Sequence, residues 1–107
     1  MVSKMNLNEY QTKAMDTLLD TANNAPYMLL NLSSEVGELH SLFAKHQRDR
    51  NELDWNLVKK ELGDVLWQVA GCAYVFGYKL EDIAQQNLDK LAARKAKNTL
   101  KGQGDER

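Results

Sequence analysis

The sequence is poor in the residues that build disulfide frameworks, thiolate metal sites and membrane spans. Its one cysteine, Cys72, excludes an internal disulfide and leaves no second sulfur ligand for zinc. A single proline, Pro26, in an otherwise ordinary composition favours long helices. No run approaches the roughly 20 apolar residues that a spanning helix needs, and the opening MVSKMNLNEY has no apolar core of the signal-peptide kind. The expectation is a cytoplasmic location and no membrane partner. An excess of one charge is missing too, since 14 Lys and Arg face 15 Asp and Glu, for a net charge of -1. That balance argues against a nucleic-acid polymer as partner.

What is present reads as one small ordered domain over residues 1–107, with 43% hydrophobic residues. A domain of this size buries too little surface to be comfortable alone, so help from a second subunit is expected. Apolar residues recur at helical spacing almost throughout, and period-2 alternation is hard to find. The fold class is therefore all-α. A first helix is expected from about Asn8 to Ala22, with Asn8 and Gln11 as a capping box and Met15, Leu18, Leu19 and Ala22 as its apolar face. A second, Tyr27 to Gln47, carries the stripe Leu29, Leu32, Val36, Leu39 and Phe43. The third starts near Asp54, carries Val58, Leu62, Val65, Leu66, Val69, Ala73 and Phe76, and stops at Gly77. The fourth runs from Leu80 to Lys97 with Ile83, Ala84, Leu88, Leu91 and Ala92 apolar, and about 98–107 form a mobile polar tail.

Two segments share one pattern, acid, aliphatic, glycine, acid, aliphatic: Glu35-Val36-Gly37-Glu38-Leu39 and Glu61-Leu62-Gly63-Asp64-Val65. Spacing of i and i+3 puts each pair of acids on one side of its helix, at the margin of the apolar stripe. If the second and third helices pack antiparallel, the four carboxylates face each other. Like charges brought together need protons or a cation, and hard oxygen ligands in this number suit Mg²⁺, with Mn²⁺ as a substitute. A di-iron centre is disfavoured, because neither His40 nor His46 has a carboxylate three residues before it. Each mid-helix glycine costs about 1 kcal/mol relative to alanine, which points to close helix approach or to room for a ligand.

A basic stripe lies further on: Lys90, Arg94, Lys97 and Lys101 fall on one face, with no acid between Lys90 and Lys101. An acid cluster holding metal and a separate cation stripe suit the two parts of a polyphosphate. Cys72 reads as core, His40 and His46 as surface or hydrogen-bonded residues, and Arg48 and Arg50 as solvated. Trp55, Trp67, Tyr10 and Tyr27 divide between packing and base stacking.

These residues resemble the MazG-like members of the all-α nucleoside triphosphate pyrophosphohydrolases. The hallmark is Glu-x-x-Glu, a spacer and Glu-x-x-Asp, matched by Glu35, Glu38, Glu61 and Asp64 with 22 residues between the pairs. Leu7-Asn8-Glu9-Tyr10-Gln11 looks like the family's usual start, and Asn87-Leu88-Asp89-Lys90-Leu91-Ala92-Ala93-Arg94 like its Asn-x-x-Lys-Leu-x-x-Arg segment. The ending Gly102 to Arg107 is similar to a Gly-x-Gly-Asp-x-Arg ending of some small members. The resemblance implies Mg²⁺-dependent hydrolysis of (deoxy)nucleoside triphosphates to monophosphate and pyrophosphate. It implies a homodimer or dimer of dimers that completes a four-helix, bundle-like fold. It also implies Glu35, Glu38, Glu61 and Asp64 as metal ligands and Asn87, Lys90 and Arg94 as substrate-binding residues that a neighbouring subunit can supply. Glu38 is assigned as the general base. Two rivals stand beside this reading: a phosphoribosyl-ATP pyrophosphohydrolase, and a non-catalytic helical module that dimerises or binds a partner.

Overall fold

Side-chain caps set where the helices begin in the computed structural model, which describes residues 4–105. Asn6 caps α1 (Leu7–Met15) by accepting from the Glu9 amide at 2.8 Å, while Glu9 accepts from the Asn6 side chain at 2.8 Å. The expected box of Asn8 and Gln11 is therefore displaced by two residues. Both of those side chains serve tertiary contacts instead: Asn8 accepts from the Glu81 amide at 3.1 Å, and Gln11 is buried against the third and fourth helices.

The first helix also stops at Met15 and not at Ala22. The Ala14 carbonyl accepts from the Thr17 hydroxyl at 2.6 Å and from the Trp67 indole at 3.2 Å, so the chain leaves the α-helical ladder there. A short 3-10 turn, Asp20–Ala22, follows.

Asn24 caps α2 (Ala25–Asp49), accepting from the Tyr27 amide at 2.9 Å, and Pro26 sits in the first turn, where its missing N–H costs nothing. Asp54 caps α3 (Trp55–Val75) through the Leu57 amide at 3.1 Å. Gly77, at a φ of 81°, ends it with Tyr78 donating to the Ala73 carbonyl at 2.8 Å and Gly77 to Tyr74 at 3.0 Å, a Schellman turn. The last helix, α4, spans Leu80–Ala96. Among the described residues the fold is thus four α-helices with no strand, and no helix is long and apolar enough to cross a membrane.

The α2–α3 pair is antiparallel, since Phe43 meets Trp55 while Asn31 bonds Gln68 and Cys72 donates to the Met28 carbonyl. Gly71 makes room for the Met28 side chain, because a Cβ there would clash with the Met28 Cε. Gln68 is fully buried yet satisfied, donating to the Met28 carbonyl at 2.8 Å and accepting from Asn31 at 2.8 Å. Burial raises the Cys72 thiol pKa, as befits a core cysteine.

Much of the expected core is not covered in one chain. Leu29, Phe43, Leu66, Phe76, Ile83 and Leu91 are exposed, Leu62 is 53% exposed and Leu88 60%. The buried apolar set is smaller: Ala14, Met28, Val58, Ala70, Cys72, Ala73 and Leu80. Helical periodicity shows which face is apolar, but not what lies against it. The radius of gyration, 16.8 Å, exceeds the roughly 13 Å of a compact chain this long, in keeping with helices that do not close around one core.

Candidate functional site

Antiparallel packing of α2 and α3 sets Glu35 and Glu38 opposite Glu61. One carboxylate oxygen from each lies within 4.8 Å of the other two. Glu35 and Glu61 are half-buried and Glu38 is exposed. Burial is the main cause that raises the Glu35 pKa, followed by the charges of Glu38, Asp64 and Glu61. Glu61 is raised by the same cause first, then by Glu38 and Asp64. Every charge felt by these two groups is another carboxylate. The fourth expected ligand, Asp64, stands outside the close trio, one turn along α3, near enough for its charge to reach the others.

The chemistry of this donor set fits a hard divalent cation. Three acids converge with no counter-charge, and Glu61 Oε2 is buried with no hydrogen-bond partner among the described residues. A buried carboxylate oxygen left unpaired is costly, and a cation would satisfy it.

Gly37 and Gly63, the glycines between the acids, have open space within 4 Å of an added Cβ. Close approach within the chain is therefore not their reason, and room for a ligand or a second copy remains. Gly37→Ala and Gly63→Ala should each stabilise the isolated chain by about 0.5–1 kcal/mol in urea melts, through helix propensity alone. A destabilised variant would show that a neighbouring chain already fills that space.

Sequence reasoning did not connect Tyr10 with the acids. It lies on α1, with its pKa raised by burial first and then by the charge of Asp64. Nothing in the spacing signalled that neighbour, because α1 reaches α3 only in the folded chain.

The expected phosphate-binding residues lie elsewhere. Asn87 and Lys90 line an open cavity of about 630 Å³ along α4, with Ile83, Gln86, Asp89 and Asp105. Arg94 is only 5% exposed and points at residues 104 and 105. Residues 98–105, expected as a polar tail, turn back so that Asp105 meets Lys90 and Arg94; Glu106 and Arg107 lie outside the described residues. Within one chain α4 packs on α1 and α3, and neither Lys90 nor Arg94 is among the charges acting on Glu35 or Glu61. The acid trio and the basic stripe thus form two separate surfaces.

The remaining candidates are placed simply. Trp67 is half-buried, its indole donating to Ala14 and Thr17, which makes it a clamp between α3 and α1. Trp55 is exposed, edge-on to Phe43. His46 Nδ1 bonds the Asn51 carbonyl, and Arg48 pairs with Asp49.

Comparison with known proteins follows the same lines. Residues 24–99 match the MazG nucleotide pyrophosphohydrolase domain. The chain is 32% identical over 114 residues to the Gene 37 protein of Mycobacterium phage L5, covering 96% of this chain and all of that one. No solved structure matches it.

Proposed function

Because the chain belongs to the MazG nucleotide pyrophosphohydrolase family, we propose that it hydrolyses (deoxy)nucleoside triphosphates to nucleoside monophosphate and pyrophosphate with Mg²⁺. The observation that carries this reading is the convergence of Glu35, Glu38 and Glu61 within 4.8 Å, without a counter-charge. Glu35, Glu38 and Glu61, with Asp64 beside them, would hold the ion. When bound, a divalent ion there supplies charge neutralisation of the triphosphate and a more acidic water.

The chain's own groups do the rest. In the overall reaction water adds across the anhydride bond between the α and β phosphates, and its oxygen ends on one of the two products. Glu38, the exposed member of the trio, takes the water's proton. Half-buried Glu35 and Glu61 stay fixed on opposite helices, so the distance across the site is set by helix packing rather than by loops. Asn87, Lys90 and Arg94 bind phosphate, and their separation from the acids supports delivery by a neighbouring copy. Exposed Leu62, Leu66, Leu88 and Leu91 support such a dimer.

The test is a nucleotide panel, including phosphoribosyl-ATP, incubated with Mg²⁺ and assayed for phosphate with and without inorganic pyrophosphatase. Signal that needs the added pyrophosphatase is the expected result. Silence across the panel, or free phosphate without the second enzyme, overturns the proposal.

A further inference from the structure

The end of α4 is built to turn the chain back on itself. Asn98, at a φ of 57°, follows the helix, and the Thr99 amide donates to the Arg94 carbonyl at 2.8 Å. The chain then bends at Gly104, whose φ is 80°. This brings Asp105 back onto α4, where Lys90 and Arg94 stand one turn apart.

Both cations converge on a single oxygen. Lys90 Nζ and Arg94 Nη2 each lie 3.1 Å from Asp105 Oδ1. Arg94 Nη2 also donates to the Gly104 carbonyl at 3.3 Å and the Asp105 carbonyl at 3.2 Å. Hydrogen bonds from Lys90 and then Arg94 hold the Asp105 carboxyl below its usual pKa. The arrangement leaves one donor over: Arg94 Nε is buried and has no partner among the described residues.

That leftover donor shows that Asp105 leaves part of the site unfilled. An arginine grips two oxygens along its Nε and Nη2 edge, as Arg48 does with Asp49, where both bonds are 2.7 Å. Asp105 engages Nη2 without Nε. A phosphate offers three oxygens, two for the guanidinium edge and one for Lys90. The Asp105 side chain is 79% exposed and free to leave, and the cavity of about 630 Å³ beside it has room for a phosphate chain.

We infer that Lys90 and Arg94 form a phosphate site that Asp105 fills in the free chain, so that a polyphosphate must displace the C-terminal turn in order to bind. A short tether presents its carboxylate at an effective concentration in the millimolar range, enough to weaken a ligand's apparent affinity without blocking it. The inference rests on the proposed activity only for the identity of the natural ligand.

The experiment therefore uses inorganic tripolyphosphate in metal-free, low-salt buffer, where neither turnover nor the acid trio takes part. Calorimetry should show Asp105→Asn and Asp105→Ala binding about tenfold more tightly than the parent chain, with the gain lost when Lys90→Ala is added. Amide resonances of Gly104 and Asp105 should shift as the parent chain is titrated. Equal or weaker binding by both Asp105 variants overturns the inference, as does binding that leaves those two amides unmoved. A chain that hydrolyses no nucleotide yet shows the competition would remove the proposed activity and keep this site.

Discussion

Glu61→Gln should lower kcat/KM for the best nucleotide by at least two orders of magnitude, about 2.7 kcal/mol of lost transition-state stabilisation. The same variant should be more stable than the parent chain in metal-free buffer. Both effects have one cause. Glu61 is half-buried close to Glu38 and Glu35 with one oxygen unpaired, so on the proposed function its charge would serve a cation, and it burdens the fold when none is there. Removing the charge removes the burden, and Gln adds an N–H that its acidic neighbours accept.

The pH dependence has the same sign. Glu35 and Glu61 have raised pKa values in the folded chain, so it holds protons that the unfolded chain has already released. Metal-free stability therefore falls as pH rises from the ordinary carboxylate range through the raised values, and the fall is shallower in Glu61→Gln. Thermal melts with and without Mg²⁺ give the check: Mg²⁺ should raise the midpoint of the parent and raise that of the variant less. Full turnover in Glu61→Gln with unchanged helicity would remove this residue from the site.

The parts of the molecule that could be read in advance are those set by local chemistry. Asp54 and Gly77 bound the third helix as their residue types dictate, and the paired acids lie on facing helices because i and i+3 share a side. What could not be read depends on neighbours far along the chain. Asn8 and Gln11 have the spacing of a capping box, but their partners are 73 and 69 residues away, and tertiary bonds won over the local one. Asp64 has the same sequence context as Glu38, yet the register of α2 on α3 draws Glu38 into the trio and leaves Asp64 outside it. Lys90 and Arg94 share a helix face in any reading. That both meet Asp105 follows only from the two positive-φ residues that reverse the chain.

Gln11→Leu is expected to cost about 3 kcal/mol of stability, lowering the thermal midpoint by more than 10 °C. The wild-type amide joins three segments at once: it donates to the Ala70 carbonyl at 3.2 Å and the Tyr78 carbonyl at 3.1 Å, and accepts from the Leu80 amide at 3.0 Å. The Leu80 amide is one of the first N–H groups of α4, which no carbonyl of that helix can reach. Leucine fills similar space but leaves that donor buried and unpaired and removes the bonds to the Ala70 and Tyr78 carbonyls. A residue that merely capped α1 would lose about 1 kcal/mol or less and loosen α1 alone. A cross-link of this kind instead frees the start of α4, so hydrogen exchange should quicken at the α4 amides while those at the centre of α2 and α3 stay protected. Thr12→Ala, one residue along on the exposed face, is the matched control and should change stability by no more than about 0.5 kcal/mol. Should Gln11→Leu prove as mild as that control, the three bonds do not hold α4 in place. The placement of Asn87, Lys90 and Arg94 would then have to come from the Leu80 side chain and the turn at Gly77 alone.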